Sequence, residues 1–551
     1  MVWSRISICV VALSILVPAR TAAQKVTLPI DALVDRITTR EHHEVEAIRR
    51  YKPIIETYIQ DVRSDKQLGA VPVKDHYFIG VADLAKGEVL HSMESKGNPA
   101  KHLSPKELIA GTLAPSYVPA GFLEMAFVDP QGFNRHHYVF EYVHREFLGN
   151  VRCLIFDVTP APNSGNGRFR GRIWVEDQQY TIIRFSGVFE PVVRQFGFYL
   201  HFDSWRENVG PGLWVPAYIY NGEEALSNTV LGHVSEKSQT RLWGYGRKNA
   251  VLPEEFSEMK VESTNVTDEV DQGKDSTPLQ QQDQFVGGGA ENALVKLEHA
   301  GLVAPAGDVE KMLNTVVNNL EVTNNIEIQP EIRCRVLLAS TLESSSMGHT
   351  ILISRGLLDV LPDEPSLAAI LAHEIAHILL GRTAVPTWAF ADQLIFPDEE
   401  SLQRFSFSES EDDEDAAAQK ALELLKQSPY KDRLASAALF LRALDSKSKE
   451  LTALISPHLR TPAFFNDELL KMAPTLDPAS LEQVAALPLG SRIKLDPWSD
   501  RLELLKNKPV QIASSWEKMP FGLTPFYPYI TRKGDTTVPA ATAQPKAPGG
   551  F

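Results

Sequence analysis

The spacing of apolar residues changes once along this chain, and that change limits what it can fold into. From about residue 120 to 262 the period is two. Phe196, Phe198, Leu200 and Phe202 alternate with Gly197, Tyr199 and His201, so one face of a strand is apolar. Arg168–Val175 and Tyr180–Phe185 flank Glu176-Asp177-Gln178-Gln179 as a hairpin, and further strands are predicted near 137–143, 151–158, 213–220 and 238–246. Many short antiparallel strands make a curved sheet or half-barrel. From about 291 to 485 the helical period dominates. Between the two, residues 264–290 are rich in Asp, Gln, Thr and Gly and have too little apolar surface to build a core. A single uniform fold is excluded, and the expected class is α+β: an N-terminal antiparallel half-barrel-like domain joined to a mostly helical one.

The expected boundaries are a signal peptide at 1–23, an N-terminal domain at 24–263 with a helical start over about 30–63 interrupted by Pro53, a linker at 264–290, a second domain at 291–490, a C-terminal extension at 491–533 and a disordered Ala/Pro/Thr/Gly tail at 534–551. A length of 551 residues suits two or three domains. In the leader, Arg5 precedes an apolar run from Ile6 to Val17, too short to span a bilayer, and Thr21-Ala22-Ala23 supplies small residues for cleavage. The expectation is a secreted or periplasmic protein with no transmembrane segment in the mature chain. Lys+Arg number 55 against 70 Asp+Glu, a formal net charge of -15, which argues against nucleic acid or an anionic lipid surface as the main partner. Cys153 and Cys334 fall in different proposed domains and are read as two buried free thiols.

The chemistry concentrates in Leu371-Ala372-His373-Glu374-Ile375-Ala376-His377-Ile378-Leu379-Leu380, an H-E-x-x-H pattern among strong helix formers. Positions four apart share a helix face, so His373 and His377 present two imidazoles to one Zn²⁺, the expected single metal per chain. Glu374, one step round the helix, falls beside the attacking water as general base. Two histidines and a glutamate on an Ala/Leu/Ile helix are costly to bury without such a purpose. A catalytic zinc needs a third protein ligand. No histidine follows at the metzincin spacing, where Gly381-Arg382-Thr383 stands, so the ligand is a carboxylate on a later helix; the acids from Glu409 to Asp415 supply several.

These residues resemble the gluzincin peptidases that include HtpX, BepA, Oma and the CAAX prenyl proteases, metallopeptidase family forty-eight. The likeness spans about 308–460 and rests on Ser354-Arg355-Gly356-Leu357-Leu358, Asp363-Glu364 and the run from Leu367 to His377. It implies that the third ligand is the Glu of an E-x-x-A-D motif. Two registers fit. Glu414 places Ala417 on the motif alanine but Ala418 where the family has aspartate; Glu411 restores an acid at Asp415 and shifts the rest by three. Glu414 is preferred and Glu411 is the alternative. The likeness also implies an oxyanion role for His458, within Ser456-Pro457-His458-Leu459-Arg460, and an edge strand at Gly348–Ser354 that binds extended substrate. The β region resembles lipoprotein-carrier domains, which hold apolar ligands, so an apolar ligand or an envelope protein is its expected partner.

Together these readings describe an exported zinc metalloendopeptidase that hydrolyses peptide bonds, with a role in envelope protein quality control. The alternative is a ligand- or protein-binding, chaperone-like envelope protein whose zinc domain turns over little.

Overall fold

The computed structural model describes residues 29–65, 69–86, 88–92, 119–130, 132–190, 201–222, 234–247, 291, 293–381, 411–464, 466–475, 477, 493–504, 521–523 and 528–533. The leader at 1–23, the linker at 264–290 and the tail at 534–551 lie outside the described residues, as does most of the alternating run at 196–202.

The N-terminal region opens with helix α1 (Ile30–Arg49), then strands β1 (Ile54–Asp65), β2 (Gly69–Asp83) and β3 (Glu88–Ser92), helix α2 (Pro119–Glu124), and strands β4 (Tyr138–Leu148), β5 (Val151–Pro160), β6 (Arg168–Glu176), β7 (Ile182–Glu190), β8 (Phe202–Gly210), β9 (Leu213–Gly222) and β10 (Val234–Trp243). All ten strands form one sheet in the order β3-β2-β1-β10-β9-β8-β7-β6-β5-β4, built from antiparallel neighbours. Two meanders are thus closed by one long-range pairing, β1 with β10, which sets Ile54 opposite Trp243.

The helical reading of 30–63 holds only to Arg49. Beyond Pro53 the chain is strand β1, and the sheet begins there instead of near 120. Strand β1 is buried on both faces. Ile55 and Ile59 join α1 residues Val34, Ile37, Val45 and Ile48 in one core, while Ile54 and Tyr58 join the core of the second domain. A strand covered on both sides carries apolar residues without alternation, and so does a buried helix, so periodicity does not separate them. The β-branched run Ile54-Ile55 and the start signal at Pro53 were the available cues. On the opposite face of β5–β9, Val151, Cys153, Ile155, Trp174, Trp205 and Trp214 pack with Ile530 of the C-terminal extension.

The second region begins with helical residues near 293–299 and continues with α3 (Asp308–Thr323), β11 (Arg333–Leu337), β12 (Ser344–Met347), β13 (Thr350–Ser354), α4 (Arg355–Val360), α5 (Glu364–Leu379), α6 (Glu411–Lys426), α7 (Leu434–Lys447) and α8 (Asp467–Lys471). Strands β11, β13 and β12 form a small sheet with β13 in the centre. The extension adds the hairpin β14 (Ile493–Leu495) and β15 (Leu502–Leu504), then returns to the large sheet, where Asn150 N–H donates to Ile530 carbonyl. The whole is α+β, a large antiparallel sheet followed by a mostly helical region. Both Cys153 and Cys334 are buried and free. Among the described residues no helix is long and apolar enough to cross a membrane.

Candidate active site

Helix α5 starts where its local chemistry dictates. Asp363 caps it, accepting from Ser366 N–H at 3.0 Å, and Pro365 sits in the first turn. It ends at Leu380, with Gly381 in the left-handed region at φ 66°. Every residue from Pro365 to His377 is buried, so α5 is a central core helix and not an amphipathic surface one. Its polar side chains therefore require partners within the protein.

Those partners come from helix α6 and from the 3-10 turn His458–Arg460. On α6, Glu414, Ala417, Ala418 and Ala421 are buried at helical spacing, and the small alanines let α6 approach α5 closely. Glu414 Oε2 lies 3.0 Å from His373 Nε2 and 3.6 Å from His377 Nε2, and the two imidazole nitrogens are 3.1 Å apart. Glu411 opens the same helix one turn earlier, and its side chain lies outside the described residues. His458 places Nδ1 2.7 Å from Glu414 Oε1 and Nε2 3.4 Å from Glu374 Oε1. The structure thus brings together His373, Glu374, His377, Glu414 and His458, all of them buried. Phe464 closes one side, its ring centroid 4.2 Å from that of His373.

The charges in this cluster are mutually dependent. Burial pushes the Glu374 carboxyl up, but the imidazoles of His458, His377 and His373 outweigh it and hold the group below its ordinary value. Glu414 is held well below the carboxylate range, again against burial, by hydrogen bonds with His373, His377 and His458. Burial acts on His458 in the opposite sense, yet the two carboxylates raise it well above the usual histidine value. Burial keeps His373 low, favouring the neutral ring. These shifts favour the ionised carboxylates of Glu374 and Glu414, the neutral ring of His373 and the protonated ring of His458 when no metal is bound.

This donor set fits a metal ion. Ligation needs a neutral imidazole and an ionised carboxylate, the forms that the shifts of His373 and Glu414 favour. A tetrahedral ion with bonds of about 2.0–2.1 Å needs its donors about 3.3 Å apart. The three separations among His373, His377 and Glu414 run from 3.0 to 3.6 Å and bracket that figure. His458 belongs to the same group, one donor atom of each of the four residues lying within 4.8 Å of the others.

Two features differ from the sequence reading. Strand β13, within the expected edge strand 348–354, is central, and the edge is β12 at Ser344–Met347. The physical reason is Gly348, at φ 55°, which turns the chain so that β12 and β13 form a hairpin. On that edge, Ser344 Oγ donates to Glu374 Oε1 at 2.6 Å. Ser344 was not singled out from sequence; its cue was three serines in a row, Ser344-Ser345-Ser346, on a strand buried at every position. Glu374 Oε2 is buried and has no hydrogen-bond partner among the described residues.

Residues 344–396 match the model of peptidase family M48. The resemblance to metallopeptidase family forty-eight is therefore shown over the segment that runs from β12 through α5, and that segment is of metallopeptidase type. No curated protein matches the chain. Among solved structures, a LolA superfamily protein from Nitrosomonas europaea is similar at 13% identity and TM-score 0.20, covering 39% of this chain and 91% of that one. A DUF1329 family protein from Desulfovibrio piger is similar at 10% identity and TM-score 0.17, covering 42% and 98%. The Pseudomonas aeruginosa MucA/MucB complex is similar at 11% identity and TM-score 0.15, covering 38% and 94%.

Proposed function

We propose that this chain is an exported zinc metalloendopeptidase that hydrolyses peptide bonds in polypeptides of the cell envelope. The observation that carries the reading is the convergence of His373 Nε2, His377 Nε2 and Glu414 Oε2 to within 3.0–3.6 Å, next to a Glu374 oxygen that has no donor among the described residues. When bound by these three residues, zinc supplies a Lewis acid that polarises a peptide carbonyl and acidifies water. Glu374 takes the proton from the attacking water at Oε2, since Oε1 is engaged by Ser344 and His458. It then returns that proton to the leaving amine. His458, whose ring already reaches Glu374, donates to the developing oxyanion. The leader at 1–23 supports export, and the acidic balance supports a polypeptide partner over nucleic acid.

A second reading is a binding or chaperone-like envelope protein with a weakly active zinc domain. It is favoured by Ala418, which is buried on α6 where the family motif has an acid that would orient a ligand. Purified full-length protein assayed on casein, with and without a chelator, separates the two. Cleavage that the chelator abolishes and zinc restores supports the peptidase. A protein that takes up one zinc yet leaves casein intact, while suppressing aggregation of unfolded protein, supports the second reading.

A further inference from the structure

The large sheet reaches the proposed site through two buried carboxylates. On β1, Glu56, 1% exposed, accepts from both Ser340 N–H and Ser340 Oγ at 2.6 Å. On β2, Asp75, 6% exposed, accepts from Ala453 N–H at 3.0 Å and Leu454 N–H at 2.8 Å. The two segments so held are joined to each other. Leu342 N–H donates to Leu454 carbonyl at 2.6 Å, Ser456 N–H donates to Leu342 carbonyl at 3.0 Å, and Leu342 bridges Ile455 in parallel. One segment continues two residues to Ser344, the other three residues to His458. Both of those side chains end on the same atom, Glu374 Oε1, at 2.6 and 3.4 Å.

We infer that Asp75, from the N-terminal sheet, is a positioning residue for the peptidase reaction: through the Leu342–Ile455 bridge it sets Ser344 and His458, which fix the rotamer of Glu374. This rests on the reading of Glu374 as general base. A carboxylate with one oxygen clamped has its other oxygen aimed, and a misplacement of about 1 Å at such a group costs up to about 10²-fold in rate. Asp75 also satisfies the buried Leu454 N–H, a backbone donor that would be costly to leave unpaired, as well as the half-buried N–H of Ala453. A sheet domain that merely tethered the catalytic region would need no carboxylate at this turn. Trp243 shows the contrast: its Nε1–H donates to Gly301 carbonyl at 2.9 Å, joining the same two regions away from the bridge.

The test uses full-length zinc-loaded protein. Asp75→Asn keeps the shape but points a donor at an amide N–H. It should retain one zinc and a KM within about twofold, while kcat falls about tenfold. Amide exchange should quicken across both 340–344 and 453–458. Trp243→Phe should lower the melting temperature and leave kcat within about twofold. Ser344→Ala should lower kcat, and the double variant Asp75→Asn/Ser344→Ala should lose little more than the worse single one, because both act on one rotamer. Parent-like kcat in folded Asp75→Asn, losses that multiply in the double variant, or exchange confined to residues 453 and 454 would each overturn the inference. If Asp75→Asn does not fold, Asp75→Ser, which keeps one acceptor, is read by the same criteria. A parent protein that cleaves no peptide defeats the underlying reading instead, and the exchange pattern then decides whether Asp75 controls the 340–344 segment.

Discussion

The imidazole of His458 lies between two carboxylates, with Nδ1 2.7 Å from Glu414 Oε1 and Nε2 3.4 Å from Glu374 Oε1. One ring therefore connects the proposed metal ligand to the proposed base. Its positive charge balances two buried anions when no metal is bound, and a metal takes over part of that task. The same ring, as an oxyanion donor, would exchange Glu374 for the reacting oxygen during turnover.

His458→Ala separates donor from ligand. As a donor, its loss should leave one zinc per chain and a similar KM while kcat drops by about 10²–10³, the scale for one oxyanion-stabilising group. The metal-free variant should also melt further below its zinc-loaded form than the parent does, because two buried carboxylates lose their cation. Elemental analysis beside steady-state kinetics checks both, and depleted zinc would make His458 a fourth ligand.

Glu374→Gln keeps size and the Ser344 contact but removes the base. Zinc should stay at one per chain, and activity should fall by about 10²-fold or more. A variant with near-parent turnover would assign the base elsewhere.

Zinc content also decides the register on α6. Glu414→Gln should weaken zinc binding because a ligand is lost, whereas Glu411→Gln should do little. Titration with a competing chelator measures this directly, and the reverse pattern would move the ligand to Glu411.

The H-E-x-x-H pattern was readable from sequence because a helix fixes the four-residue spacing of His373 and His377 without help from tertiary structure. Glu414 was readable only through the surrounding alanines, Ala417 and Ala421, that mark the face packed on α5. Ser344 was not readable, because its role depends on β12 reaching α5 across the hairpin at Gly348. The pattern of strand β1 resembles helix for a related reason: the second domain covers one of its faces, and that contact comes from residues more than two hundred positions away. Asp75 and Glu56 carry no local motif at all. Their partners at 453–454 and 340 exist only in the folded chain.

Nicking should cut first within 264–290, whose composition holds no core. The two pieces should nevertheless travel together on size exclusion. Ile54, Tyr58, Ile79 and Trp243 of the sheet are buried in the core of the helical region, and Glu56, Asp75 and Arg241 make hydrogen bonds across the junction. Fragments that separate without denaturant would show that this junction is weaker than its burial indicates.

Asp500 provides a pH test away from the site. Burial pushes its carboxyl up to about 7, and Arg247, 4.0 Å away, offsets only part of that. The unfolded value is about 3.9. Between about pH 4 and 7 the folded protein therefore holds a proton that the unfolded chain lacks, so stability is greatest below this window and falls as pH rises through it. Each unit of pKa difference is worth about 1.4 kcal/mol. Asp500→Asn removes the titrating group, and asparagine tolerates the left-handed backbone there, at φ 59°. Arg247 loses the Asp500 charge only at pH 8, because at pH 5 the parent's carboxyl is already neutral; that attraction is one of the causes that set the value near 7, so it is already counted in the window. The variant should thus compare better with the parent at pH 8 than at pH 5, by about 1 kcal/mol or more, in urea unfolding at the two values. Equal differences at both would show that Asp500 is ionised in the folded protein throughout that range.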